Sequence, residues 1–216
     1  MRLGKPSTID RAQWLQSLGV AGQADDSLEA SLQAVQDQLL QAAVPQGTYR
    51  VLGLQTLALK GTAIQKHLDG CHQMAVMAVT LGAAVDQLIR ASQIRNMADA
   101  VILDCGASVL VEQVCDAFEE QIKQENGCGR FMTGRFSPGY GDLPIETQDQ
   151  LIKVIDGPRK IGLTVNQNHI MIPRKSVTAI LGIADHPVKG YLATCDECMR
   201  KDICVLRKEG KNCAGI

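Results

Sequence analysis

The chain has 216 residues, 45% hydrophobic, 21% charged and only 3% aromatic, with a net charge of −1. That length and apolar content suit one domain with an aliphatic core, or one domain plus a small appendage. A near-neutral charge gives no electrostatic reason to expect nucleic acid or an anionic membrane as partner, and the longest apolar run, Met74 to Val85, is too short to span a bilayer.

The N-terminus lacks the apolar stretch of a signal peptide, so a cytoplasmic protein is expected. Ser7-Thr8-Ile9-Asp10 read as the cap of a short helix through Trp14 toward Leu18. Asp25-Asp26-Ser27 precede Leu28, Leu32, Val35, Leu39 and Leu40, the spacing of an amphipathic helix that ends near Pro45-Gln46-Gly47. Thr48 to Leu59 reads as a strand. Tyr49, Val51, Leu57 and Leu59 would share one face, Leu52 and Leu54 the other, and Gly53 marks a bulge or a break. A short helix from Thr62 to Leu68 stops at Gly70, and Cys71 to Leu81 reads as a buried strand. Helices are then predicted over Ala83 to Ser92 and Met97 to Asn126, with Gly106 a candidate bend in the second. Pro144 starts a further helix carrying Gln148, Leu151, Ile152 and Ile155. Lys160 to Val165 and His169 to Ile172 flank the hairpin turn Asn166-Gln167-Asn168, and Ser176 to Ile183 is the last strand. This order predicts an α+β fold with helices packed on a largely antiparallel, twisted sheet. It divides into an N-terminal helical segment (1–47), a core (48–187) and a Cys-rich tail (188–216).

The tail holds Cys195, Cys198, Cys204 and Cys213, within the last 22 residues. A C-x2-C pair lets two thiolates reach one metal through a tight turn, and two more complete a four-thiolate set for an iron–sulfur cluster or, alternatively, zinc. With Ile203, Val205 and Leu206 as its main apolar residues, the tail needs folding energy that a metal would supply. Arg200, Lys201, Arg207, Lys208 and Lys211 would offset the thiolate charge. The alternative is a metal-free redox pair at Cys195 and Cys198. Cys71, Cys105, Cys115 and Cys128 are assigned to packing.

Arg135-Phe136-Ser137-Pro138-Gly139-Tyr140-Gly141-Asp142-Leu143-Pro144 packs a cation, a phenol, two glycines and two prolines into ten residues. The prolines fix φ and the glycines permit unusual backbone, so a shaped loop is expected. Ordered loops of this kind often carry ligand sites; the alternative is a surface turn. Ser137 and Asp142 are assigned to local hydrogen bonds that shape the loop. Ser176 is assigned a structural place in its strand. His169 and His186 show no partner in sequence and are expected to be exposed or to brace loops.

This loop, with Gln148 after it, resembles the signature of the activation (reactivation) domain of vitamin B12-dependent methionine synthase. Leu103-Asp104-Cys105-Gly106-Ala107 through Val111-Glu112 is similar to that family's long helix, and Ile172-Pro173-Arg174-Lys175-Ser176-Val177 to its Pro-x-x-Ser-Val strand. The resemblance runs from about Thr48 to Ala184. It implies a C-shaped α+β domain that binds S-adenosylmethionine and closes over a cobalamin held by a partner. The expected role is that of a stand-alone reactivation protein, not a complete enzyme alone. It would support reductive remethylation of cob(II)alamin on a separate corrinoid-binding methyltransferase, with a reduced electron-donor protein as second partner. Arg135 would grip the carboxylate of S-adenosylmethionine and Glu112 its ammonium. Gly139 and Gly141 would let the backbone approach the ligand, and Tyr140 would offer a flat face near the methyl donor. Arg135 as a loop-bracing ion pair and Glu112 on a solvated helix face are the alternatives. At the level of function, the alternative is a corrinoid accessory or electron-delivery module that uses a C-terminal Fe–S centre and does not bind S-adenosylmethionine.

Overall fold

The structure is a computed structural model that describes residues 1–20, 24–126, 130–191 and 202. Four strands form the main sheet: β1 (Gln46–Gly53), β2 (Gln73–Thr80), β3 (Phe131–Met132) and β6 (Ser176–Ala184). Their spatial order is β1-β2-β6-β3 and every pairing is antiparallel. A short hairpin, β4 (Thr164–Val165) with β5 (Met171–Ile172), stands apart.

Helices cover both faces of the sheet, and the side-chain period of two explains how. On β2, Ala75, Met77 and Val79 point into one core; Met74, Val76 and Ala78 point into another. The first core lies under α1 (Arg11–Ser17), α2 (Asp26–Ala42), α4 (Ala83–Arg95) and α5 (Met97–Asn126). The second lies under α3 (Thr62–His67), α6 (Thr147–Val154), α7 (Gly157–Ile161) and the loop around Phe136. A strand covered on both faces loses its alternation, which is why β2 reads as a continuous apolar run. The α+β prediction holds. Among the described residues, no helix is long and apolar enough to cross a membrane.

The first two helices start at aspartate caps. Asp10 and Asp25 each accept a backbone N–H of the first turn, from Gln13 at 2.9 Å and Leu28 at 2.8 Å. Gly106 has a packing role inside α5, which runs on through it. A Cβ there would lie 2.5 Å from Trp14, whose Nε1–H donates to the Ile102 carbonyl at 3.0 Å.

Several boundaries differ from the prediction. β1 ends at Gly53, where Leu54–Thr56 form a 3-10 turn. The chain therefore changes course, and Leu57 and Leu59 join Leu52 in the second core instead of Tyr49 and Val51 in the first. Pro144 opens a turn, with Thr147 N–H donating to its carbonyl at 3.1 Å, and α6 begins only at Thr147. Lys160 and Ile161 close α7 and are not strand; Gly162, at φ 65°, turns the chain out. β3 was not foreseen.

Candidate ligand cleft

The Arg135 loop is pinned at both ends. Phe136 pairs with Ile180 of β6, with N–H···O distances of 3.0 and 2.8 Å. Its buried ring lies 4.9 Å from His67, 6.1 Å from Tyr140 and 5.8 Å from Tyr191. The two-residue period then sends Arg135 to the opposite face, toward α5. At the far end, Asp142 accepts from Thr62 N–H at 2.6 Å, Thr62 Oγ1 at 2.8 Å and Ala63 N–H at 2.9 Å. The sequence reading assigned it local hydrogen bonds. Instead it caps α3 across 80 positions of sequence. The Ala63 and Thr62 amides, then the Thr62 hydroxyl, hold its carboxyl well below the usual range, at about 2. Between these pins the loop turns through Gly139 (φ 89°) and Gly141 (φ 52°), leaving Tyr140 at its tip, 59% exposed. Gly141 is required by the Ala63 methyl, which a Cβ would meet at 2.6 Å.

Arg135, 19% exposed, meets three carboxylates of α5. Nη1 donates to Glu119 Oε2 at 2.9 Å, and Nη2 lies 3.1 Å from Glu112 Oε2 and 2.8 Å from Asp116 Oδ1. Lys123 contacts Glu119 at 2.8 Å. Positions 112, 116, 119 and 123 share one helix face, so the four groups form a row. Burial opposes the Arg135 charge, but Asp116 and Glu112 outweigh it and raise its pKa. Burial, then Glu112, pushes up the thiol of Cys115 behind this row, keeping it protonated. Glu112, Asp116 and Glu119 against Arg135 and Lys123 leave one negative charge in surplus.

A cavity of about 280 Å³ is lined by these three acids, Arg135, Ser137, Tyr140 and Val177. A second, of about 410 Å³, adjoins it and shares Glu112, Ser137, Tyr140 and Val177. The two make one cleft with an acidic end and an end walled by Tyr140, Ile145, Ile170 and Met171. A depression of about 520 Å³ between α1 and α2 is larger, but no residue of the loop lines it.

The structure thus brings Arg135, Glu112 and Tyr140 to one cleft, while Gly139 and Gly141 shape the loop without lining it. Asp116, Glu119 and Gln148 also line it and were not proposed from sequence as site residues. The spacing of Glu112, Asp116 and Glu119 on a predicted helix was the available signal for the acids. His169 braces the β4–β5 hairpin, its Nδ1 lying 2.6 Å from Asp149 Oδ2. Cys195, Cys198, Cys204 and Cys213 lie outside the described residues; among the described residues no group of three or more His, Cys, Asp or Glu is placed to hold a metal.

No family model matches the sequence, and no curated protein matches it. Among solved structures, the MetH reactivation domain bound to AdoHcy matches with a TM-score of 0.61 and 14% identity, over 94% of this chain and 82% of that one. The chain therefore has the fold of a MetH reactivation domain.

Proposed function

We propose that this protein is a reactivation module. It binds S-adenosylmethionine in the cleft beside Arg135 and supports reductive remethylation of cob(II)alamin carried by a separate corrinoid-binding methyltransferase. One observation carries the reading: the loop and the acidic face of α5 meet across a cleft, in the fold of a domain solved with AdoHcy. Charge supports it. S-adenosylmethionine has a sulfonium and an ammonium against one carboxylate, and the acidic end of the cleft has a surplus negative charge to meet a cation.

Arg135 has a double part in this reading. It aligns three carboxylates that would otherwise repel one another. Its expected grip on a ligand carboxylate requires displacing Glu112 or Asp116, which are 49% and 65% exposed and free to swing aside. Glu119, only 13% exposed and held by Lys123, stays in place. Tyr140 closes over the ligand from the loop tip. The corrinoid, when docked, supplies the nucleophile, and a reduced electron-donor protein supplies the electron. The residues of this chain bind and orient the methyl donor.

The tail completes the proposal. Cys195, Cys198, Cys204 and Cys213 hold a metal centre, an iron–sulfur cluster or, in its place, zinc; their spacing and the surrounding cations support this. Anaerobically purified protein should be brown and contain iron with acid-labile sulfide. Colourless protein with stoichiometric zinc selects the structural alternative, and protein without either metal removes the centre.

The engagement of Arg135 by three carboxylates favours a second reading, a corrinoid accessory that delivers electrons and binds no S-adenosylmethionine. Calorimetric titration with S-adenosylmethionine separates the two. Saturable heat selects the first reading. Silence, together with capture of a corrinoid-loaded partner, selects the second.

A further inference from the structure

The far end of the cleft is lined by apolar side chains together with Asn168, His169 and Arg174, and one polar side chain there, Gln148, is buried and half-used. Gln148 is 2% exposed, on the first turn of α6. Its Nε2–H donates to Thr178 Oγ1 of β6 at 2.7 Å. Among the described residues, nothing donates to its Oε1. Among the described residues no side-chain oxygen or nitrogen sealed from solvent lacks a partner. Gln148 lines the second cavity, and that is where its carbonyl can meet water. A buried amide carbonyl is tolerated there while water fills the cleft. When a ligand displaces that water, the carbonyl needs a donor or its desolvation counts against binding.

We infer that Gln148 reads the purine of the nucleoside ligand: its Oε1 accepts a hydrogen bond from the exocyclic 6-amino group of adenine. The inference rests on the S-adenosylmethionine reading above and adds the residue that sets base specificity. The layout of the cleft supports the orientation. The acidic row at one end takes the cationic amino-acid portion. Tyr140, Ile145, Ile170 and Met171 at the other offer apolar walls to a flat ring. Thr178 fixes the amide plane by holding Nε2, so the acceptor is presented in place before the ligand arrives. A 6-oxo purine puts an acceptor where adenine has a donor, and two facing carbonyls repel.

The test compares S-adenosylhomocysteine with its deaminated counterpart S-inosylhomocysteine by calorimetry on the full chain, with S-adenosylmethionine titrated in parallel. The adenosyl compound should bind about tenfold or more tightly than the inosyl one. Gln148→Leu should weaken the adenosyl compound and erase the preference. Equal affinity of the wild-type protein for the two compounds overturns the inference while S-adenosylmethionine binding leaves the reading of the cleft intact. So does preference for the inosyl compound, which would mean that the amide presents its NH2 to the cleft. Failure of all three compounds to bind overturns both. Retention of the preference in Gln148→Leu also overturns the inference, and Gln148→Met, which likewise lacks the amide, serves if Gln148→Leu does not fold.

Discussion

Asp142 and Arg135 are the two charges that hold the loop, and each makes a separate prediction. Asp142 has a folded pKa depressed to about 2 from an ordinary 3.8, so its cap on α3 stabilises the protein above about pH 4 and is lost as pH falls through about 2. Asp142→Asn should lower the melting temperature by a few degrees at pH 7, and the gap to wild type should shrink between pH 4 and pH 2. Melts across that range check the sign. Removing Arg135 leaves Glu119 partly buried with Lys123 as its remaining cation, so Arg135→Gln should cost about 1–3 kcal/mol in denaturant unfolding. Arg135→Lys, which cannot span three carboxylates, should recover part of that. At this scale loop chemistry and family resemblance both single out Arg135 and Tyr140 in the sequence, and the resemblance alone singles out Glu112; the structure brings the three to one cleft. The sequence was silent on the partners of Asp142, which lie 80 positions away and leave no local trace.

The elements were legible where a period lasts several turns and obscure where it does not. α4 and α5 begin where predicted, and α5 also ends there, because long helical patterns define them. β3 has two residues, too few to show alternation, and was missed; the β4–β5 hairpin was legible from its Asn-rich turn, but its strands are two residues each and were drawn too long. Leu57 and Leu59 were placed on the wrong face because the 3-10 turn at Leu54–Thr56 resets the period. Gly106 shows how a glycine in a helix can serve packing. Gly106→Ala should cost about 1–3 kcal/mol, because Trp14 is held by its Nε1–H bond to Ile102 and cannot retreat freely. A double mutant with Trp14→Phe should show a coupling of the opposite sign, readable from chemical denaturation.

As a whole the molecule is a sheet with a helical layer on each face, and the cleft lies where the layers meet. Phe136 anchors the loop in one core while Arg135, next to it in sequence, reaches the helix over the other. This arrangement fixes the distance between loop and α5 without any contact from a ligand. A preorganised cleft of this kind loses little freedom on binding. The fold class was readable from the order of elements, but the joining of Glu112, Asp116 and Glu119 to the loop was not, since it depends on how α5 lies across β6. The measurement that bears most directly on the account is calorimetric titration of S-adenosylmethionine into the anaerobically purified full chain, alongside Glu112→Gln. A single saturable site, weakened about tenfold or more in the variant, is the predicted result. No heat and no rise in melting temperature at millimolar S-adenosylmethionine would contradict it.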